Sequence, residues 1–193
     1  MATLTVTRKD QITNTARTMF RTKGYKSTSM RDLAQTVGIE AASLYSHVKS
    51  KEEILQKICF GLADKFMAAM QDAQSKNWTA DKTLSYAVEK HIEVITNNLD
   101  ASGVFIHDWK HLSEPSLAKF KQMRSKYENF FIGLVEDGIK QKRFRDVNAK
   151  FAVMTLFNSM NWVYDHYKPN GKMKQSEIAS ELSLLFLNGL SKN

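Results

Sequence analysis

Apolar residues recur three or four positions apart through most of the chain, and this spacing predicts an all-α protein. Residues 8–23 are typical, because Ile12, Ala16 and Phe20 fall on one face and Gly24 then supplies a stop. Only two prolines and eight glycines interrupt the pattern. Further helices are predicted from Thr28 or Ser29 to Val37, and over about residues 41–48, 51–75, 81–99, 102–112, 115–141, 148–167 and 176–190.

Residues 27–51 predict two short helices joined by a sharp turn. Ser29 and Asp32 have the spacing of a capping box at the start of the first helix. Gly38 has the backbone freedom that a sharp turn needs, and Leu44 places an apolar side chain on the inner face of the second helix. The pattern indicates a helix-turn-helix, although a helix corner centred on glycine also fits an ordinary helical hairpin.

The outward side of the second short helix is small and polar, and it contains no acid that would repel a phosphate. Small side chains let a helix enter the major groove of DNA, while Ser, Tyr and His donate hydrogen bonds to phosphates or base edges. The outward residues are Ala41, Ala42, Ser43, Tyr45, Ser46 and His47.

Seven short motifs lie between Ile12 and Leu55, and they can be matched to one known family without insertions or deletions. They are TA at 15–16, MF at 19–20, GY at 24–25, TSMRDLA at 28–34, VGI at 37–39, SLYSHV at 43–48 and SKEEIL at 50–55. Together they resemble the DNA-binding domain of the TetR family of transcriptional repressors. The resemblance implies a homodimer that binds a palindromic operator in double-stranded DNA and is released by a small-molecule effector. Two recognition helices would then lie about 34 Å apart, one turn of DNA.

We expect DNA contacts from both short helices and from the start of the next one. Phosphate contacts are assigned to Thr28, Arg31, Tyr45, His47 and Lys51, and the groove floor to Ala41, Ala42, Ser43 and Ser46, where Ala can contact a thymine methyl. The predicted set of DNA-binding residues is Thr28, Met30, Arg31, Ala41, Ala42, Ser43, Tyr45, Ser46, His47 and Lys51.

The charge distribution supports a polyanionic partner for the first quarter of the chain. Residues 1–51 hold nine Lys or Arg against three Asp or Glu, which leaves 19 against 17 in the remainder. A basic balance in a whole protein can serve solubility alone, whereas a basic balance concentrated on one small domain favours binding to nucleic acid.

Other features of the sequence narrow the class of protein. The single cysteine, Cys59, excludes an internal disulfide and lies in an apolar helical run, so a buried thiol in a reducing compartment is expected. No segment has the roughly twenty apolar residues that span a bilayer, and the first ten residues lack a secretory h-region, so a cytoplasmic location is expected. The sequence contains no nucleophile elbow, phosphate-binding glycine loop or CxxC pair, and no enzyme activity or cofactor is predicted.

Two domains are expected: a helix-turn-helix domain at residues 1–50 and a helical effector-binding and dimerisation domain at residues 51–193. The helix predicted over residues 51–75 would connect them. The last two helices have broad apolar faces, which either bury within one subunit or pair with a twin copy as a four-helix bundle. The family resemblance favours the dimer.

Aromatic and polar residues of the central helices predict an effector pocket, although each aromatic also fits ordinary core packing. The tail around Trp162 and Pro169 resembles TetR-family members that sense acyl-CoA thioesters or related hydrophobic acids. Those members carry Trp-Tyr-Arg-Pro where this chain has His166-Tyr167-Lys168-Pro169. An acyl-CoA or fatty-acid-like effector is therefore the hypothesis. The predicted contacts are Phe105, Trp109, Arg124, Phe131, Asn158 and Trp162.

Two other classes of protein remain open at this point. His107 and His111 stand four residues apart, a spacing that places two imidazoles on one helix face and fits a metal-dependent hydrolase or a metal-responsive regulator. Asp108 or His91 would have to complete such a site. A helical protein-interaction module without DNA binding is the third class, and the basic first quarter argues against it.

Overall fold

The computed structural model describes residues 7–191, which form nine α-helices. No strand occurs among these residues, where one antiparallel bridge joins Phe144 to Ser191. None of their helices is both long and apolar enough to cross a bilayer. The helices are α1 (Arg8–Lys23), α2 (Met30–Val37), α3 (Ala41–His47), α4 (Lys51–Ser75), α5 (Ala80–Thr96), α6 (Leu99–His107), α7 (Ser116–Lys140), α8 (Ala149–His166) and α9 (Gln175–Leu190), with a 3-10 helix at Trp109–His111.

The all-α prediction is confirmed, and the predicted bounds differ noticeably at the junction of α5 and α6 and at the end of α6, which lies at His107 and not at about residue 112. Helix α5 ends at Thr96 and α6 begins at Leu99, so both junction ends lie earlier in the chain than predicted. The side-chain amide of Asn98 donates to the Val94 carbonyl at 2.7 Å. Asn ends helices in this way because its amide competes with the backbone for hydrogen bonds, a signal that apolar spacing does not register.

The described residues form two compact units. The first comprises residues 7–62 and 100–120, and the second comprises residues 63–99 and 121–191. Helix α4 contributes to both, because the division falls between Leu62 and Ala63. These units are defined by contacts and not by function. The predicted functional division between residues 1–50 and 51–193 therefore stays a prediction.

The first unit is built on the apolar face of α1. Ile12, Ala16 and Phe20 are buried there, and α1 packs against α2, which packs against α3. Thr7 caps α1 and shares a reciprocal capping box with Asp10, so it belongs to the helix start. Residues 1–7 were expected to form a short lead; residues 1–6 of that lead lie outside the described residues.

The second unit is organised around α5, which packs against α8 and α9. Its buried stripe includes Leu84, Val88 and Ile92, which are almost fully excluded from solvent. The end of α9 is held by Arg145, whose backbone amide donates to the Leu190 carbonyl at 2.8 Å. The core of this unit is therefore interhelical and apolar, and a polar group inside it needs a partner.

One polar pair lies inside this core, surrounded by aromatic rings. His91 Nδ1 lies 3.1 Å from the Tyr127 hydroxyl, and both side chains are buried. The surrounding rings come from Phe66 on α4, Phe131 on α7 and Phe157 on α8. We call these five residues the His91 cluster. Burial lowers the pKa of His91 from 6.5 to about 3, because the charged imidazolium would lose its hydration.

We expect the protein to lose stability as the pH falls below about 6.5, because His91 then gains a proton in the unfolded chain but not in the folded one. The folded-state pKa is depressed, so its contribution is fully present above 6.5 and is lost progressively between 6.5 and about 3. The loss at pH 5 is about 2 kcal/mol. Urea unfolding at pH 7.5 and pH 5 measures it.

Two variants test the assignment of this pH effect. His91→Phe removes the buried ionisable group, and His166→Gln removes an exposed histidine as the matched control. The wild type and His166→Gln should show the same pH dependence, and His91→Phe a weaker one. An equal pH dependence in all three proteins would contradict the assignment to His91.

Candidate nucleic-acid interface

The turn between α2 and α3 has the geometry of a helix-turn-helix. Ser29 and Asp32 form the predicted reciprocal capping box at the start of α2. Gly38 adopts the left-handed conformation with φ 74° and ψ 39°, and the Ile39 amide donates to the Ala34 carbonyl at 3.0 Å. A side chain at position 38 would be strained in that conformation, so the glycine sets the angle between the two helices.

Helix α3 presents a polar and small-residue face to solvent. Leu44 and Val48 are buried beneath it, at 0% and 2% exposure. Tyr45 is 52% exposed, although aromatic side chains usually lose most of their surface in a folded unit. His47 is half-buried, and the other side chains of this face are open to solvent: Ala41, Ala42, Ser43 and Ser46.

Lys51, the first residue of α4, is bound to the turn that precedes α2. Its ammonium donates to the carbonyls of Tyr25 and Thr28, each at 2.8 Å, and lies 4.3 Å from the centre of the Tyr25 ring. A charged donor satisfied by two carbonyls and a ring face is a structural clamp. We call it the Lys51 clamp.

The Lys51 clamp changes two of the expected DNA contacts. Thr28 is 1% exposed and its hydroxyl donates to the Gly24 carbonyl at 3.0 Å, so its side chain is not presented to a phosphate. The Lys51 ammonium is likewise engaged within the first unit. Both residues therefore position the helix-turn-helix in this conformation.

Arg31 is the predicted phosphate contact that remains available on α2. Its guanidinium is exposed, and no acidic side chain of residues 7–191 lies within 4.0 Å of it. Met30 beside it is half-buried. By contrast, the cations of Lys9, Arg21 and Lys57 pair with Glu53, Asp100 and Asp10 respectively.

Residues 100–113 contact the same unit at three places. Asp100 accepts from the Thr18 hydroxyl and from the Arg21 guanidinium, each at 2.7 Å. The His111 ring stacks on Tyr25 with centres 5.5 Å apart. The carboxylate of Glu52 accepts from the Ser113 amide and hydroxyl, and these bonds lower the pKa of Glu52. The segment that follows α5 is therefore attached to the DNA-binding motif.

The alternative of a metal pair at His107 and His111 lacks the helical geometry on which it depends. Helix α6 ends at His107, and His111 lies in the 3-10 helix, so the two imidazoles do not lie one turn apart on a single α-helix. Burial raises the pKa of Asp108 between them. His91 lies in the other unit, beside Tyr127. Residues 7–191 contain no group of three His, Cys, Asp or Glu that could hold a metal ion.

The structure distributes the predicted effector residues over several places. Phe105 and Trp109 pack against the Phe120 ring in the first unit, with ring centres 5.2 and 5.9 Å away. Phe131 belongs to the His91 cluster in the second unit. Arg124 is half-buried on α7.

The two remaining effector residues line a surface depression. Asn158 and Trp162 lie on the exposed side of α8 and border a shallow depression of about 530 Å³ together with Thr155, Ser159 and Leu182. As a functional residue, His91 is considered from the sequence only as a possible third metal ligand, and Tyr127 and Phe157 are not among the predicted effector contacts. A polar residue at an otherwise apolar stripe position was the available signal for His91.

Two family models match the chain. Residues 12–58 match "Bacterial regulatory proteins, tetR family", and residues 77–190 match "Tetracyclin repressor-like, C-terminal domain". The first range contains the helix-turn-helix and the start of α4. The second covers all of α5 to α9 and more than half of the chain.

Full-length similarity to known regulators extends this match. The chain is 25% identical over 186 residues to the HTH-type transcriptional repressor KstR2 of Rhodococcus jostii, covering 95% of this chain and 91% of that protein. The structure of the ketosteroid transcriptional regulator KstR2 of Mycobacterium tuberculosis superposes with a TM-score of 0.92 at 21% identity, covering 100% and 99% of the two chains. AibR in complex with isovaleryl coenzyme A and operator DNA gives 0.81 at 22%, covering 93% and 97%. These two structural matches show a shared fold.

We expect Lys51→Met to destabilise the protein by about 1–3 kcal/mol, because it keeps the apolar stem but leaves the Tyr25 and Thr28 carbonyls without their charged donor. Denaturant unfolding measures the change. Lys49→Met is the matched control, since the Lys49 side chain is exposed, and it should be within about 0.5 kcal/mol of wild type. Equal stability of the two variants would show that the clamp does not hold the fold.

Proposed function

The chain belongs to the TetR family of transcriptional regulators, and we propose that it is a homodimeric repressor released from a palindromic operator by a small apolar effector. Its relatives are regulators of transcription, not enzymes. Such a protein would act in the cytoplasm, where the operator is. The observation that carries the proposal is the outward face of α3, which offers small and hydroxyl-bearing residues above a buried Leu44.

The proposed DNA contacts are of two kinds: contacts to phosphates, which position the protein on the duplex, and contacts to base edges, which recognise the sequence. Arg31, Tyr45 and His47 bind phosphates from either side of the turn, and the Arg31 guanidinium is not engaged by an acid of the described chain. Ser43 and Ala42 lie on the first turn of α3, where side chains of a recognition helix reach base edges. The basic excess of the first 51 residues supplies the sequence-independent attraction.

Dimerisation is proposed through α8 and α9. Four large apolar side chains on these helices remain exposed, a pattern typical of an interaction surface rather than of scattered single residues. A two-fold axis through this face would build a four-helix bundle and present two copies of α3 to successive turns of DNA, about 34 Å apart. The exposed residues are Phe151 (75%), Trp162 (54%), Leu184 (53%) and Leu185 (69%).

An acyl-CoA or fatty-acid-like compound is the proposed effector. AibR, which was solved in complex with isovaleryl coenzyme A, supports this class, as does the apolar core of the second unit. Effector binding would tilt α4, which runs without interruption from Lys51 to Ser75, and would change the separation of the two α3 helices. By linkage, operator DNA must weaken effector binding by the same factor.

We expect Arg31→Ala and Tyr45→Phe to weaken binding to every duplex by a similar factor, because phosphates carry no sequence information. The salt slope of log K should fall by about one for Arg31→Ala. Ser43→Ala should instead change the preferred bases. Selection of duplexes from a random pool, followed by salt titration with the best and a scrambled sequence, measures both effects, with Lys121→Ala as the control. A changed preference in Arg31→Ala with none in Ser43→Ala would reverse the assignment.

We expect Leu185→Glu to convert the dimer into a monomer, because it places a charge in the apolar face of α9. Operator affinity should fall about a hundredfold or more, since bivalent binding is lost. Light scattering after gel filtration and a duplex titration measure the two effects. Lys140→Glu on the exposed end of α7 is the control and should remain dimeric. A dimeric Leu185→Glu protein with full operator affinity would place the interface elsewhere.

A further inference from the structure

The His91 cluster contains a buried polar atom that has no protein partner. His91 is 3% exposed, and Nε2 of its ring has no hydrogen-bond donor or acceptor within reach among residues 7–191. The other ring nitrogen, Nδ1, lies 3.1 Å from the Tyr127 hydroxyl. Leaving a polar group unsatisfied in an apolar interior destabilises the folded protein, so such an atom calls for a specific reason.

The rings around His91 do not supply the missing partner. Phe66 lies with its centre 4.7 Å from the imidazole centre at an interplanar angle of 33°, and Phe157 lies at 5.6 Å and 62°. An aromatic face is only a weak hydrogen-bond acceptor and offsets a small part of the desolvation cost. The four other members of the cluster therefore leave Nε2 in an apolar shell with one polar contact, on the opposite nitrogen.

The donor and acceptor groups of His91 and Tyr127 indicate that Nε2 of His91 is a hydrogen-bond donor. If Tyr127 donates to Nδ1, the cluster leaves one unpaired donor, the Nε2 proton. If Nδ1 donates to Tyr127 instead, both the hydroxyl proton and the Nε2 lone pair lack a partner among the described residues. The first arrangement leaves fewer polar groups unsatisfied, so the protonated nitrogen is Nε2 and it points into the aromatic shell.

We propose that the His91 cluster is the buried end of the effector site, and that the Nε2 proton of His91 binds a neutral acceptor oxygen of the ligand, such as a ketone, ester or thioester carbonyl. The proposal rests on the regulatory function proposed above and narrows it. Five aromatic or imidazole rings from α4, α5, α7 and α8 provide the apolar surface, and the single donor provides orientation.

The same cluster disfavours a charged group at this end of the ligand. Burial keeps His91 neutral, and the five cluster residues include no Lys or Arg. A carboxylate would lose its hydration there without gaining a counter-charge, which is far more costly than burying a carbonyl. A fatty-acid-like effector would therefore place its carboxylate, and an acyl-CoA its phosphates, away from His91.

Three small probes of similar shape test the site in the full-length protein. Acetophenone carries the carbonyl, α-methylstyrene replaces the oxygen with a methylene group, and benzoate carries a charge. With the histidines labelled with ¹⁵N, acetophenone should shift the Nε2 resonance of His91, and it should bind about tenfold more tightly than α-methylstyrene. Benzoate should bind at least tenfold more weakly than acetophenone. The His91→Phe spectrum identifies the resonance.

The His91→Phe variant is also the matched control, because it fills a similar volume without a donor. It should bind acetophenone and α-methylstyrene equally. Equal affinities in the wild type, no shift of the His91 resonance, or a retained preference in His91→Phe would each overturn the proposal. The wild-type measurements decide the question even if the variant does not fold.

A duplex titration of the same protein, without probe, separates this proposal from the regulatory function. DNA binding without any acetophenone effect at His91 would contradict the proposed ligand site and support the proposed DNA-binding function. An acetophenone effect without DNA binding would leave a ligand site but remove its regulatory role.

Discussion

The Lys51 clamp is the interaction on which the geometry of the helix-turn-helix depends. One ammonium joins the start of α4 to the Tyr25 and Thr28 carbonyls, immediately before α2 begins. Apolar burial under Leu44 fixes which face of α3 points outward, but it does not fix where α4 starts relative to α2. The clamp adds that directional constraint, because two carbonyls and a ring face define a position for the cation. In the proposed function, a tilt of α4 would therefore also displace the turn that precedes α2.

The contacts of residues 100–113 provide a second connection to the helix-turn-helix unit, in addition to the Lys51 clamp. Asp100, His111 and Ser113 make exposed or half-buried polar and stacking contacts with α1, Tyr25 and α4. Contacts of this kind contribute little to stability individually, since solvent competes for them. They can accordingly exchange partners without unfolding the core. Such contacts would suit the proposed function, because a buried apolar interface would resist a small displacement between a DNA-bound and a released state.

The predictions that succeeded and those that failed differ in the range of the interactions involved. The capping box at Ser29, the turn at Gly38 and the helix bounds follow from residues within one or two turns, which the sequence displays directly. The partners of Lys51 lie 23 and 26 residues away, and a long flexible cation carries no local sign of where it will bind. The alternative of a metal pair at His107 and His111 is not supported because the helix ends at His107, and the i, i+4 spacing has meaning only within a continuous helix.

The two units of the protein differ in where they place charged side chains. The proposed function requires the helix-turn-helix to attract a polyanion, but Lys9, Lys51 and Lys57 are bound by carboxylates or carbonyls. Arg31, which has no acidic partner among residues 7–191, is therefore the proposed phosphate contact on α2. The second unit excludes charge from the His91 cluster, where burial keeps the His91 imidazole neutral beside the Tyr127 hydroxyl. If the proposed site is correct, an effector that carries a charge would be recognised in two parts. Its apolar end would be selected by shape and by one acceptor oxygen, while its charged end would remain near solvent and contribute affinity without distinguishing one acyl chain from another.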